Sequence, residues 1–326
     1  MPAKRVLVSY GVDIDAVAGW IGSYGGEDSV SDISRGIFAA EVGVPRMLKM
    51  FARKNIRATW FIPGHTLESF PTECRAIVDA GHEIGLHGYT HENPNAMSIE
   101  QQRDILAKTY KLLTEFAGKP PTGSVAPWWE TSEEMAELLL EYGIEYDHSM
   151  HHHDSQCYWL TTGDKWTKID YNAKAETWMK PLERGKTIGL VEVPANWHVD
   201  DIPPMLFMKS SSNSHGYVNP RDIEEMWKDM FEWLYENEED FVFPVSTTCS
   251  SVIQSSGNCI ADAVNDLRAL SATQITVHPD VSGKPQVLAM HERFIDWVNT
   301  HEGVQWVTMD EMNKDFRSRN KPPAQT

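Results

Sequence analysis

The chain has 326 residues, a formal net charge of -18, and 41% hydrophobic against 23% charged side chains. That is ordinary globular composition with length for a real core, and no apolar run approaches membrane-spanning length. So acidic a chain lacks the basic footprint that nucleic acid and anionic membranes require, so neither is an expected partner. The four cysteines, Cys74, Cys157, Cys249 and Cys259, show no Cys-x-x-Cys spacing, which removes zinc-ribbon and redox readings. No secretory leader precedes Val6-Leu-Val-Ser-Tyr and no Asn-x-Ser/Thr acceptor is present, so the expected location is cytoplasmic.

In chain order, Arg5 to Val12 is a β-rich run. Val44 to Arg53 carries apolar residues at helical spacing, with Pro45 suited to a first turn. Arg57 to Pro63 returns to strand, Ser69 to Ala80 to helix, and His82 to His87 to strand. Ser98 to Phe116 is a long amphipathic helix, Gly123 to Pro127 a strand, and Ser132 the expected cap of a helix through Glu141. Tyr158 to Trp178 reads as loop with short strands, Gly189 to Pro194 as strand, and Asn219 as the cap of a helix to Trp233. Ile275 to His278 is a strand, Gln286 to Thr300 a helix, Val304 to Thr308 the last strand and Met309 to Phe316 the last helix. Such alternation predicts an α/β fold of parallel strands with helical crossovers, an open sheet or a barrel. No low-complexity linker divides it, so residues 1–326 are expected to form one domain.

Chemistry concentrates in two stretches. Gly81-His-Glu-Ile-Gly-Leu-His-Gly-Tyr-Thr-His91 sets His87 and His91 four residues apart, close enough for both imidazoles to reach one cation. Such a pair needs a third, usually anionic, ligand to leave one position open. Val8-Ser-Tyr-Gly-Val-Asp-Ile-Asp15 offers Asp13 and Asp15, which on an extended segment point the same way. One carboxylate can then bind metal while the other takes a proton. The run His151-His152-His153 reads as a solvated loop.

With Asp-x-Asp at the first strand, His-x-x-x-His at the third and a late strand ending in His278, the chain resembles the polysaccharide deacetylases of the NodB-homology type over nearly its whole length. The runs Tyr10 to Gly19, Gly81 to Pro94 and Thr276 to Gly283 are similar to a branch that holds a signal-less peptidoglycan deacetylase and the cyclic imidases. The resemblance implies a distorted, incomplete (β/α) barrel. It also implies a divalent metal, Zn²⁺, on Asp15, His87 and His91, with Asp13 as general base and His278 as general acid. Asp147, Asp154 or Asp280 could orient His278, and Trp128, Trp129 and Glu130 could line the substrate pocket. Three departures stand out. Ile14 separates aspartates that the family places side by side, and Val125-Ala-Pro127 lacks the Arg that steadies the family's base. The third is that an acidic chain expected in the cytoplasm sits badly with a polymeric cell-wall substrate.

The implied activity is hydrolysis of a non-peptide C–N bond, deacetylation of a peptidoglycan- or chitin-type N-acetylglucosamine. The alternative is ring opening of a small cyclic imide, which suits a closed homo-oligomer, and a rival class is an inactive glycan-binding module. Retention of a base and an acid weighs against the module. In the branch resembled, a strand like Phe241 to Pro244 runs directly into one like Ile275 to His278, whereas here Val245 to Gln274 intervenes. These thirty residues read either as a surface insertion or as an in-frame, unspliced intron, since every Val codon begins GT and one Gln codon ends AG.

Overall fold

The computed structural model describes residues 4–209, 216–238, 240–243 and 272–323. Its organising element is β1 (Arg5–Asp13), buried at every position after Arg5. A strand buried on both faces reads as a continuous apolar run, as Val6-Leu-Val-Ser-Tyr does. The strands that follow are β2 (Thr59–Ile62), β3 (Glu83–Leu86), β4 (Gly123–Ser124) and β5 (Tyr146–Asp147). After them come β6 (Tyr158–Thr162), β7 (Lys186–Glu192), β8 (Asp240–Val242), β9 (Ala272–Val277) and β10 (Val304–Trp306).

These ten strands form one sheet in the order β10-β1-β2-β3-β4-β5-β7-β6, with β8 and β9 also on β1. Every pairing is parallel except β6 with β7. Along one edge of β1, Val6 donates its N–H to Gly303 and Ile14 donates to Phe61, which seats β10 and β2 there. The other edge therefore carries β8 and β9. Between β7 and β9 the described residues form only the single bridge Asp200–Thr276, so the curled sheet is an incomplete (β/α) barrel.

The two faces of β1 divide the core. Val6, Val8, Tyr10 and Val12 pack under the surrounding helices in the large cluster. Leu7 points the opposite way, into a smaller interior cluster with Phe61, Tyr146, Val191 and Phe316. The helix Met309–Arg319 supplies Phe316 and plugs the barrel at the strand starts; Thr308 caps it and Glu311 closes a capping box. Asp13 shares the Leu7 face six residues on, roughly 20 Å up the strand. Apolar floor and polar mouth thus belong to one face of one strand.

The helices Val44–Lys54, Ile99–Ala117, Pro220–Asn237 and Pro285–Val298 lie where the apolar spacing places them. Ser98 and Asn219 are side-chain caps. Ser132 is not: the helix starts at Met135, and the Ser132 hydroxyl instead donates to Gln102 Oε1 at 2.7 Å. Two helices missing from the sequence reading, Ala16–Gly22 and Val30–Phe38, complete the wall beside β1. Glycines hide the first of them, because helix propensity counts against Gly. Packing demands one all the same, since a Cβ at Gly22 would lie 1.9 Å from the Thr90 carbonyl oxygen. Of the stretch 245–274, residues 245–271 lie outside the described residues, and so do Cys249 and Cys259.

Candidate active site

Asp13, Asp15, His87, His91 and His278 come together at the carboxyl ends of β1, β3 and β9, all buried. Strand ends are where parallel α/β sheets open crevices for ligands. Asp13 and Asp15 share the site by a turn rather than by two-residue strand alternation. The strand ends at Asp13, Asp15 is in the right-handed helical region, and Ala16 has φ 47°.

Asp15, His87 and His91 each offer one ligand atom, and these atoms lie within 4.8 Å of one another. His87 Nε2 is 3.1 Å from Asp15 Oδ1, and His91 Nε2 is 3.4 Å from Asp15 Oδ2. Each imidazole uses its far nitrogen elsewhere. His87 Nδ1 donates to the Val125 carbonyl at 2.9 Å, and His91 Nδ1 lies 2.6 Å from Ser23 Oγ. Those contacts set both rings with Nε2 lone pairs converging on one carboxylate, the arrangement a tetrahedral divalent cation with one open position requires. The donor set fits a metal.

Asp13 stands beside that triad. Its Oδ2 lies 3.8 Å from His87 Nε2 and 3.8 Å from His278 Nε2. Its Oδ1 is buried with no hydrogen-bond partner among the described residues. Burial, partly offset by His87 and His278, pushes the Asp13 carboxyl up to about 6. Burial also opposes the charge on Asp15, yet His91 and the hydrogen bond with His87 hold that carboxyl below the usual range. Two neighbouring carboxylates are thereby split, one a firm anion and the other a proton acceptor. Val125, where the resemblance expects an Arg, is a buried apolar side chain whose carbonyl accepts from His87.

His278 faces the same centre from the opposite strand, with Nε2 3.7 Å from Asp15 Oδ2. None of the three expected orienting residues holds it. Asp147 sits opposite Glu192 across β5 and β7, Asp154 pairs with His153, and Asp280 accepts from Trp20 Nε1. The orienting group is Asp201, which takes the His278 ring N–H on Oδ1 at 2.8 Å and the His278 backbone N–H on both oxygens. Asp200 Oδ1 stands 3.6 Å from the same ring nitrogen. Burial alone would keep His278 neutral, but the Asp201 hydrogen bond and the charges of Asp200 and Asp201 raise its pKa well above the ordinary imidazole value. The only sequence signal for this pair was a double aspartate shortly after the Gly189 to Pro194 strand.

Tyr24, Trp128, Trp129 and Trp197 wall the cavity over Asp13 and His278. The Trp129 and Trp197 rings meet at 4.7 Å and 70°, and Tyr24 donates its hydroxyl to Asp15 Oδ2. Glu130 does not join them. It is exposed, accepts a hydrogen bond from Asn95 Nδ2 at 2.7 Å, and is not part of the cavity wall. His151, His152 and His153 are exposed, with the His151 ring resting against Trp129 and Trp197.

The chain is similar to known proteins along nearly its whole length. Residues 36–146 fit the family model for polysaccharide deacetylase. A peptidoglycan deacetylase of Helicobacter pylori is 52% identical over 98% of both chains. A peptidoglycan deacetylase-like protein of Gibberella zeae is 38% identical over 98% of this chain and 89% of its own. Among solved structures, a putative polysaccharide deacetylase from Mycobacterium smegmatis superposes with TM-score 0.74 at 27% identity, covering 100% of this chain and 96% of that one. Puue allantoinase shares the fold, with TM-score 0.69 at 21% identity over 97% and 91% of the two chains. Likeness over the full length and a shared barrel lead to one statement: the chain belongs to the polysaccharide deacetylase family.

Proposed function

We propose that the protein is a metal-dependent deacetylase that removes the acetyl group from an N-acetylglucosamine unit of a peptidoglycan- or chitin-type substrate. The observation that carries the reading is the placement of Asp13 and His278 together beside one buried ligand triad. The likeness to the Helicobacter pylori peptidoglycan deacetylase supports the substrate class. Asp15, His87 and His91 would hold a divalent metal, Zn²⁺ by the imidazole-and-carboxylate donor set, which when bound would supply Lewis-acid polarisation of the amide carbonyl and a more acidic water.

The chain's own groups do the rest. Asp13 Oδ1, the oxygen without a protein partner, accepts the proton of the attacking water. His278 Nε2 gives a proton to the departing amide nitrogen, while Asp201 holds the opposite ring nitrogen and keeps Nε2 aimed inward. The balance is one amide and one water consumed, one acetate and one amine formed. The three indoles stack against a sugar face and exclude bulk water from the reacting atoms.

The test sets an N-acetylglucosamine oligomer beside a simple cyclic imide, each assayed with Zn²⁺ and with chelator. Chelator-sensitive acetate release from the oligomer is the expected result. Ring opening of the imide without acetate release would replace the reading with an imidase, and silence on both would sink it.

A further inference from the structure

We propose that Ser282 and His291, anchored by Tyr10, are positioning residues for the general acid, and that they select which of two neighbouring carboxylates holds it. The inference rests on the deacetylase reading above. Behind Asp201 runs a chain of fully buried polar groups that the chemistry so far leaves unused. Ser282 Oγ donates to Asp201 Oδ2 at 2.5 Å. His291 Nε2 is 2.8 Å from Ser282 Oγ, and His291 Nδ1 is 3.2 Å from the Tyr10 hydroxyl. Tyr10, Ser282 and His291 are each 0% exposed.

The proton positions follow from one fixed end. An ionised carboxylate only accepts, so the Ser282 hydroxyl proton points to Asp201. Ser282 Oγ is then the acceptor for His291 Nε2–H, which leaves Nδ1 to accept from the Tyr10 hydroxyl. Burial lowers the His291 pKa to about 4 and keeps the ring neutral, and its two partners set the tautomer. All donors run one way, towards Asp201. Buried networks of this kind are rigid when every member is satisfied.

The consequence lies in the choice between Asp200 and Asp201. Asp201 Oδ1 is 2.8 Å from His278 Nδ1, and Asp200 Oδ1 is 3.6 Å from it. With its hydroxyl partner gone, Asp201 Oδ2 keeps only the His278 backbone N–H, and the carboxylate can turn. The imidazole can then swing towards Asp200 and carry Nε2 away from the leaving nitrogen. The relay pins Asp201 and so pins the ring.

Two substrates separate this role from a merely structural one. Departing amide nitrogen needs a proton from His278, whereas the phenolate of 4-nitrophenyl acetate leaves without one. Ser282→Ala should lower kcat on the N-acetylglucosamine oligomer by about tenfold to a hundredfold, with KM within about twofold. Its rate on the aryl ester should stay within about twofold of wild type, which also reports an intact fold and metal site. Ser282→Thr should recover the amide rate, and His291→Phe should mimic Ser282→Ala. Equal losses on amide and ester, or no loss on the amide, overturn the relay. Wild-type protein silent on both substrates overturns the deacetylase reading and the relay with it.

A different observation, the pairing along β1, carries a second inference: we infer that residues 245–274 interrupt what the fold builds as one strand. Leu7 pairs with Val242 of β8 and also with Ala272 of β9, thirty residues later. Arg5 to Leu7 pair with Asp240 to Val242, and Tyr10 to Val12 pair with Ile275 to Val277. Join Pro244 to Ile275, and the β8 register continued by two residues falls opposite Val8 and Ser9, meeting the β9 register at Tyr10 without a slip. The two registers on β1 are offset by thirty residues, the length of residues 245–274. Val245-Ser246 is encodable as GTAAGT and Gln274 as CAG, the two ends of a spliceosomal intron. The chain lacking residues 245–274 should melt about 5 °C or more above the full chain, and cDNA from the source should contain a message without those codons. A lower Tm on deletion, or messages that all retain the codons, overturns the inference.

Discussion

Two carboxylate pairs lie at the mouths of the same sheet and behave in opposite ways. Asp13 and Asp15 end β1, while Asp147 and Glu192 face each other across β5 and β7. All four are buried. Around the first pair stand His87, His91 and His278, and the pair splits into a carboxyl held below the usual range and one raised to about 6. Around the second, Glu192 Oε1 accepts from the Ser149 and Met150 N–H groups, while Glu192 Oε2 and Asp147 Oδ1 have no hydrogen-bond partner. Burial pushes Asp147 up to about 7 and Glu192 well above the carboxylate range. Burial, with the charge of Asp147 added at Glu192, makes a stored acid, whereas imidazoles beside the first pair keep one carboxyl ionised.

Breaking the first pair should have the largest effect. Asp13→Asn should lower kcat by about 10² to 10⁴-fold while bound metal, measured by elemental analysis, stays at wild-type level. Loss of metal with activity would instead make Asp13 a ligand. Next, Ser23→Ala removes the hydroxyl beside His91 Nδ1 and should weaken metal binding about tenfold to a hundredfold in competition with a chromogenic chelator.

The second pair should act on stability instead. Asp147 binds its proton up to about pH 7 in the folded state and only to about 3.8 when unfolded. The folded chain thus holds the extra proton between those values, and stability falls as pH rises through that window. Asp147→Asn removes the penalty, so the gap in Tm between pH 4.5 and pH 8 should narrow relative to wild type, with kcat unchanged. A gap that stays the same would remove Asp147 from the account. The smallest effect belongs to Glu130→Ala, which should leave KM within about twofold because Glu130 is bonded to Asn95 outside the cavity.

The readable parts of this chain were those whose meaning is local. Val6 to Val12 announces a buried strand by composition, Ser98 and Asn219 announce helix starts, and His87 with His91 points to a candidate site only together with the nearby glycines and the Asp13-x-Asp15 pair. What stayed hidden depends on neighbours far along the chain. Asp201 orients His278 from 77 positions away, and nothing within its own stretch distinguishes it from Asp147 or Asp280. Ser132 has the composition of a cap, but Gln102, from another helix, takes its hydroxyl proton. The helix Ala16–Gly22 was lost because its glycines serve close approaches to Tyr24 and Thr90 rather than flexibility.

Among the described residues, the non-glycine positions with positive φ are Ala16, Asn55, His91, Trp128 and Trp129, at 47°, 54°, 61°, 59° and 51°. Asn55 ends a helix, where that conformation is commonplace. The other four touch or adjoin the catalytic cavity, and bulky side chains there cost on the order of 1–3 kcal/mol each. An engineer seeking a hardier catalyst would find these positions inviting, since glycine relieves such backbone tension at once. The relief would be bought with the imidazole and indoles that the tension holds in place. Durability in this protein is better sought far from the mouth of the barrel.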